Sequence, residues 1–116
     1  MTETIHLNDP RTRDPSQPCK GGGGYDDLYV GQQMSLTNES GSIVALGRID
    51  SAEHVDGRTE QIGEGTCTFY NCLFHFIIRE IPQRAFYEVH AAGRGGPTYS
   101  HGDLNAAGWR VQHHIG

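Results

Sequence analysis

The stretch TCTFYNCLFHFIIREIP, residues 66–82, decides the architecture. In an extended chain Cys72, Phe74, Phe76 and Ile78 fall on one side and Leu73, His75 and Ile77 on the other. A period of two marks a strand, because a helix would scatter those positions around its circumference. The run reads as a central strand, and Pro82, which has no amide to donate to a ladder, ends it.

The same alternation extends in both directions. ETIHLN, residues 3–8, sets Glu3, Ile5 and Leu7 against Thr4 and His6, with Ile5 and Leu7 as the face to bury. QMSLTN and SIVALGRI flank NESG, where Asn38 and Gly41 supply turn chemistry, so residues 33–49 form a hairpin. Downstream, RAFYEVHAAG alternates Phe86 and Glu88 with Tyr87, Val89 and Ala91, and GWRVQHHIG alternates through Trp109, Val111, His113 and Ile115. Between these two strands, Ser100 stands three residues before Asp103 and Gly108 follows, which predicts one helical turn near 101–107 pinned to the core by Leu104. Two segments lack the pattern. Residues 9–24, with three prolines, read as an irregular arm, and residues 51–65, polar around Asp56-Gly57, as an exposed loop or a ragged hairpin.

At 116 residues the chain forms one domain, 1–116, large enough to bury roughly two-thirds of its unfolded surface. Six or seven short strands predict an all-β, two-sheet antiparallel β-sandwich, immunoglobulin-like or transthyretin-like in outline. A formal charge of -5 leaves little material for a nucleic-acid surface, and Lys20 is the sole lysine. No apolar run reaches the ~20 residues that span a bilayer, and MTETIHLNDP has neither a basic n-region nor an apolar h-region. The chain as written reads as soluble and unexported. Cys19, Cys67 and Cys72 allow three single pairings, among which spacing does not choose.

The succession CKGGGGYDDLYVGQQMSLTNESGSIVALGRI, CLFHFIIREIP and FYEVHAAGRGGPTYSHGDLNAAGWRVQHHIG resembles a β-domain of actinobacterial membrane-anchored proteins and lipoproteins and of proteins of their phages. In that family a Cys-small-Gly-Gly-Tyr-Asp-Asp segment precedes a hairpin whose rhythm is also similar to transthyretin-like and carboxypeptidase-regulatory sandwiches. The resemblance runs from Thr4 to Gly116. It implies a disulfide between Cys19 and Cys72, with Cys67 left over, and it makes Gly21, Gly22, Gly23, Gly24, Tyr25 and Asp26 a fold-marker turn. It also implies an extracytoplasmic or virion setting.

Other readings of the chemistry are weaker. YSHGD places Ser100, His101 and Asp103 in the order of a nucleophile, base and orienter, but neighbours in sequence do not converge on a strand or helix, and a capped turn explains them. Seven histidines, His6, His54, His75, His90, His101, His113 and His114, invite a zinc or copper site, which needs three that converge, and His75 and His90 are placed to meet across paired strands. No ligand spacing supports one. Asp26 and Asp27 suit calcium in type but not in spacing. The four glycines are not a phosphate loop, since Lys20 precedes them and no helix pattern follows. Tyr25, Leu28 and Val30 read as buried anchors beside a cystine-held corner. No cofactor, metal ligand set or catalytic residue is assigned. The expected function is a non-enzymatic structural or interaction module on a virion or cell envelope, such as a phage decoration protein. It would act on a protein partner or by self-association, with loop residues Arg94, His54 and Arg58 placed to carry contacts. The alternative is a small metal-binding protein that uses the surface histidines.

Overall fold

The computed structural model describes residues 1–79, 81–91 and 94–116, with the side chains of Ala91, Arg94 and His113 outside that description. Seven strands, β1 (Thr2–Thr12), β2 (Gln33–Thr37), β3 (Ile43–Ile62), β4 (Gly65–Ile78), β5 (Phe86–Ala91), β6 (Arg94–Ser100) and β7 (Arg110–Ile115), carry one short helix, α1 (His101–Ala106). All seven join in one sheet, in the order β6-β5-β2-β3-β4-β1-β7. Every neighbouring pair is antiparallel except β1 and β7, which run parallel with Thr2 opposite Arg110 and Leu7 opposite Ile115.

The all-β expectation holds, whereas the two-sheet sandwich is replaced by a single sheet curled into a half-barrel. Period-two patterning states that each strand buries one face and leaves open what covers it. Here the sheet curls over its own inner face, which carries Ile5, Leu7, Met34, Leu36, Ile49, Phe74, Phe76, Ile78, Tyr87 and Val89, all buried. The arm between β1 and β2 adds Cys19 and Leu28, and α1 adds Leu104. These pieces do the work of a second sheet.

β4 lies centrally between β3 and β1, and Cys72, Phe74, Phe76 and Ile78 are fully buried as the alternation predicts. Glu3 joins Ile5 and Leu7 on the inner face and is also completely buried. Its carboxyl bears on Tyr99, whose hydroxyl is pushed up to about 12, first by burial and then by the charge of Glu3. Tyr87 is buried with its hydroxyl satisfied twice: it donates to the Pro82 carbonyl at 2.8 Å and accepts from the Arg84 amide at 2.8 Å, fixing the chain before β5.

The helical turn forms as expected. Ser100 is its N-cap, with Oγ accepting the Asp103 amide at 3.0 Å, and Leu104 is buried beneath it. The hairpin around NESG also forms: Asn38 Oδ1 accepts from the amides of Ser40 and Ser42, each at 3.0 Å. Residues 51–65 take the ragged-hairpin alternative and not the loop. β3 runs through to Ile62 and turns at Gly63-Glu64, so that Ile62 pairs with Gly65. Asp56 and Gly57, whose chemistry suggested a turn, form a β-bulge opposite Tyr70, between the pairs Val55–Asn71 and Arg58–Phe69. One type of bulge uses the left-handed backbone that tight hairpin turns also use, and Asp56 adopts it at φ 53°. The arm is likewise shorter than expected, because β1 continues to Thr12 through an irregularity between Leu7 and Arg11 that accommodates Pro10.

Candidate interaction surface and the cleft at its root

The long β3–β4 hairpin outruns its neighbours. β2 pairs with β3 only over residues 43–48, and β1 leaves β4 at Phe69, so among the described residues neither flank of 58–62 or 65–68 pairs with another strand. Residues 56–66 are all exposed, including Ile62. The projection stretches the molecule to 57 × 25 × 21 Å and its radius of gyration to 16.0 Å, against roughly 13 Å for a compact chain of this length. Arg58 stands on this ribbon, paired to Glu60 at 3.3 Å, and the thiol residue Cys67 lies half-buried opposite Glu60.

At the root of the ribbon the arm is fastened to the sheet. Cys19 and Cys72 form a disulfide, with Cα atoms 5.7 Å apart, and Cys67 is free. Arg13 provides a second fastening. Its guanidinium donates to the carbonyl oxygens of Asp9 at 3.0 Å and Lys20 at 3.3 and 3.4 Å, and also to that of Tyr70, tying β1, the arm and β4 together. Burial, chiefly, pulls the Arg13 pKa below its usual value; Asp9 opposes that and Arg11 adds to it. A guanidinium starts so high that it stays charged.

The glycine quartet follows as a 3-10 turn over Gly23–Tyr25. Gly21 donates its amide to the Leu28 carbonyl at 2.8 Å, and a Cβ there would lie 1.9 Å from the Tyr25 carbonyl oxygen. Gly22 and Gly23 face the Arg11 guanidinium: a Cβ would lie 3.1 Å from Nη1 and 3.0 Å from Nη2, respectively. Leu28 is buried and Tyr25 half-buried, as expected of anchors, but Val30 is 39 % exposed and lines a groove of about 520 Å³ with Pro18, Cys19 and Tyr29. It fails as an anchor because the chain turns at Gly31 (φ 97°) before entering β2.

A second concavity, of about 260 Å³, opens between the arm and β3 and is lined by Arg11, Arg13, Asp14, Lys20, Gly22 and His54, among others. His54, expected on a loop, is on β3, edge-on to Tyr70 with ring centroids 5.3 Å apart. Asp14 is held by Ser16, whose hydroxyl and amide donate to it at 2.6 and 2.9 Å; these bonds hold its carboxyl below the usual range.

The outer face of the sheet carries a polar network. His6 Nε2 lies 2.5 Å from Asp56 Oδ2, and the amide of Asn71, itself buried, donates to the same oxygen at 2.9 Å and to Asn8 Oδ1 at 3.3 Å. The bond from Asn71, then that from His6, depresses the Asp56 pKa. The His114 ring lies tilted against His6 with centroids 5.0 Å apart, and His75 lies 2.5 Å from Glu53. His75 and His90 do not meet, since β3 and β2 separate β4 from β5; His90 instead contacts the Thr37 hydroxyl at 3.2 Å. Among the described residues no three His, Cys, Asp or Glu side chains converge on a common point. Ser100 is occupied as a cap and His101 packs edge-on against Trp109 at 5.4 Å, so YSHGD forms no relay. Of the GRGG stretch, Gly93 and the side chain of Arg94 lie outside the described residues, while Gly95 and Gly96 are part of β6.

The sequence reading missed Arg11, Arg13 and Lys20 as a group. Arg11 and Arg13 share a side of a strand by their spacing, but only the return of the arm across β4 brings Lys20 and His54 to them. Comparison with family models, curated proteins and solved structures returned no match. Among the described residues no helix is long and apolar enough to cross a membrane.

Proposed function

We propose that the protein is a non-enzymatic interaction module that engages a protein partner through the projecting β3–β4 ribbon. One observation carries this reading: a two-stranded ribbon, with both flanks unpaired among the described residues, extends beyond the core. Two strands alone are marginally stable in water, and unpaired strand edges are templates for pairing with another chain. A ribbon that long gains most when a second protein covers it. The setting, a phage particle or an actinobacterial envelope, follows from the sequence resemblance alone.

The test is association. The purified chain is examined by light scattering and by co-sedimentation with actinobacterial envelope fragments and phage particles. A second form has residues 59–68 replaced by an Asn-Gly turn, which closes the hairpin at the Arg58–Phe69 pair. Self-association or co-sedimentation that the shortened form loses, while keeping its melting transition, supports the reading. A monomer that binds neither material, or a shortened form that binds equally well, overturns it.

A further inference from the structure

We propose that the cleft between the arm and β3 is a binding site for a single oxyanion, a phosphate or carboxylate group carried by a partner or ligand. On a chain of formal charge -5, it gathers Arg11, Arg13 and Lys20, with His54 on its wall. Two carboxylates oppose them. Asp9 accepts from Arg11 at 2.6 Å and lies 3.8 Å from Arg13 Nη2, and Asp14 lines the cleft with one oxygen, Oδ1, accepting from Ser16. Three cations against two anions leave a positive excess before His54 is counted.

The donors are of the kind an oxyanion needs. Arg13 is committed to carbonyl oxygens and serves as frame. Arg11 uses Nε on Asp9, leaving Nη1 and Nη2 against the backbone of Gly22 and Gly23. Among the described residues the amides of those two glycines have no acceptor, and the Lys20 ammonium, exposed, has no ion pair. Arg11, with Nη1 and Nη2 left over from its pair with Asp9, and Lys20 line the same cleft and offer an oxyanion charge-assisted bonds. This is not a phosphate loop, because Lys20 precedes the glycines and only a 3-10 turn follows. The site does not depend on the ribbon, so either proposal stands if the other fails.

The experiment is a titration of the whole oxidised chain, labelled with nitrogen-15, with inorganic phosphate and separately with acetate, at constant ionic strength set by sodium chloride. Saturable shifts at the Lys20 and Gly22 amides, on residues that line the cleft, are expected. Lys20→Gln, an exposed change that leaves the frame intact, weakens binding about tenfold, as expected for one charge-assisted hydrogen bond, and Arg11→Gln at least as much. Arg58→Gln, on the ribbon, leaves it unchanged. Saturation by phosphate alone assigns the site to phosphate-bearing ligands; saturation by both supports the general oxyanion site. Linear, non-saturating shifts with both anions overturn the proposal, as does a Lys20→Gln protein that binds as tightly as the wild type.

Discussion

Gly21 and Tyr25 approach so closely that the smallest side chain would separate them: a Cβ on Gly21 would sit 1.9 Å from the Tyr25 carbonyl oxygen. The four glycines are therefore not equivalent. Gly21→Ala forces the corner to open and break the Gly21–Leu28 hydrogen bond, at a cost of ~2 kcal/mol or more. Gly24→Ala, with nothing within 4 Å of the added methyl, stays within about 0.5 kcal/mol of the wild type. Urea denaturation of both variants checks the contrast; equal losses would refute it.

The Cys19–Cys72 bridge spans a sequence separation of 53 residues. Closing a loop of that length removes chain entropy from the unfolded state worth about 4 kcal/mol in the loop-closure model. Reduction is expected to lower the denaturation midpoint accordingly. Alkylation of the unreduced protein in denaturant should modify one thiol, Cys67, as read by intact mass.

Asp56 titrates below the ordinary carboxylate range because Asn71, then His6, hydrogen-bonds its charged form. A depressed folded pKa contributes stability that is complete above the unfolded value, near 3.9, and is lost as pH falls through the folded value. Asp56→Asn keeps a residue that tolerates φ 53° and removes the charge. It should lower stability near neutrality, where the wild type holds the full contribution, and flatten the acid limb, so that the two proteins converge as pH falls through the folded value. A variant with an unaltered acid limb would contradict this account.

Ser100 caps α1 and Leu104 buries its underside. Ser100→Ala should cost ~1 kcal/mol through the lost cap, and Leu104→Ala about 2–5 kcal/mol through the lost core contact and the cavity left behind. Thermal melts give the ranking. Any activity that vanished with Ser100→Ala at unchanged stability would instead reinstate the hydroxyl as a chemical group.

Strand patterning was sufficient for the inner face of β4 and the burial of Ile5 and Leu7, and turn and capping residues for the Asn38 turn, the Ser100 cap and Leu104, because each depends on neighbours within a few positions. The sequence resemblance implied the cystine that the structure contains. Tertiary structure decided what covers the buried face. A single sheet curls over its own core with the arm and α1 filling the opening, because alternation is silent about the partner layer. It also decided that Asp56-Gly57 is a bulge, since a left-handed residue serves either a turn or one type of bulge, and chose the hairpin over the loop for residues 51–65. The cleft belongs to this second class. Arg11, Lys20 and His54 span more than forty residues of sequence, and the fastening of the arm across β4 by Cys19–Cys72 and Arg13 is what sets them around one space.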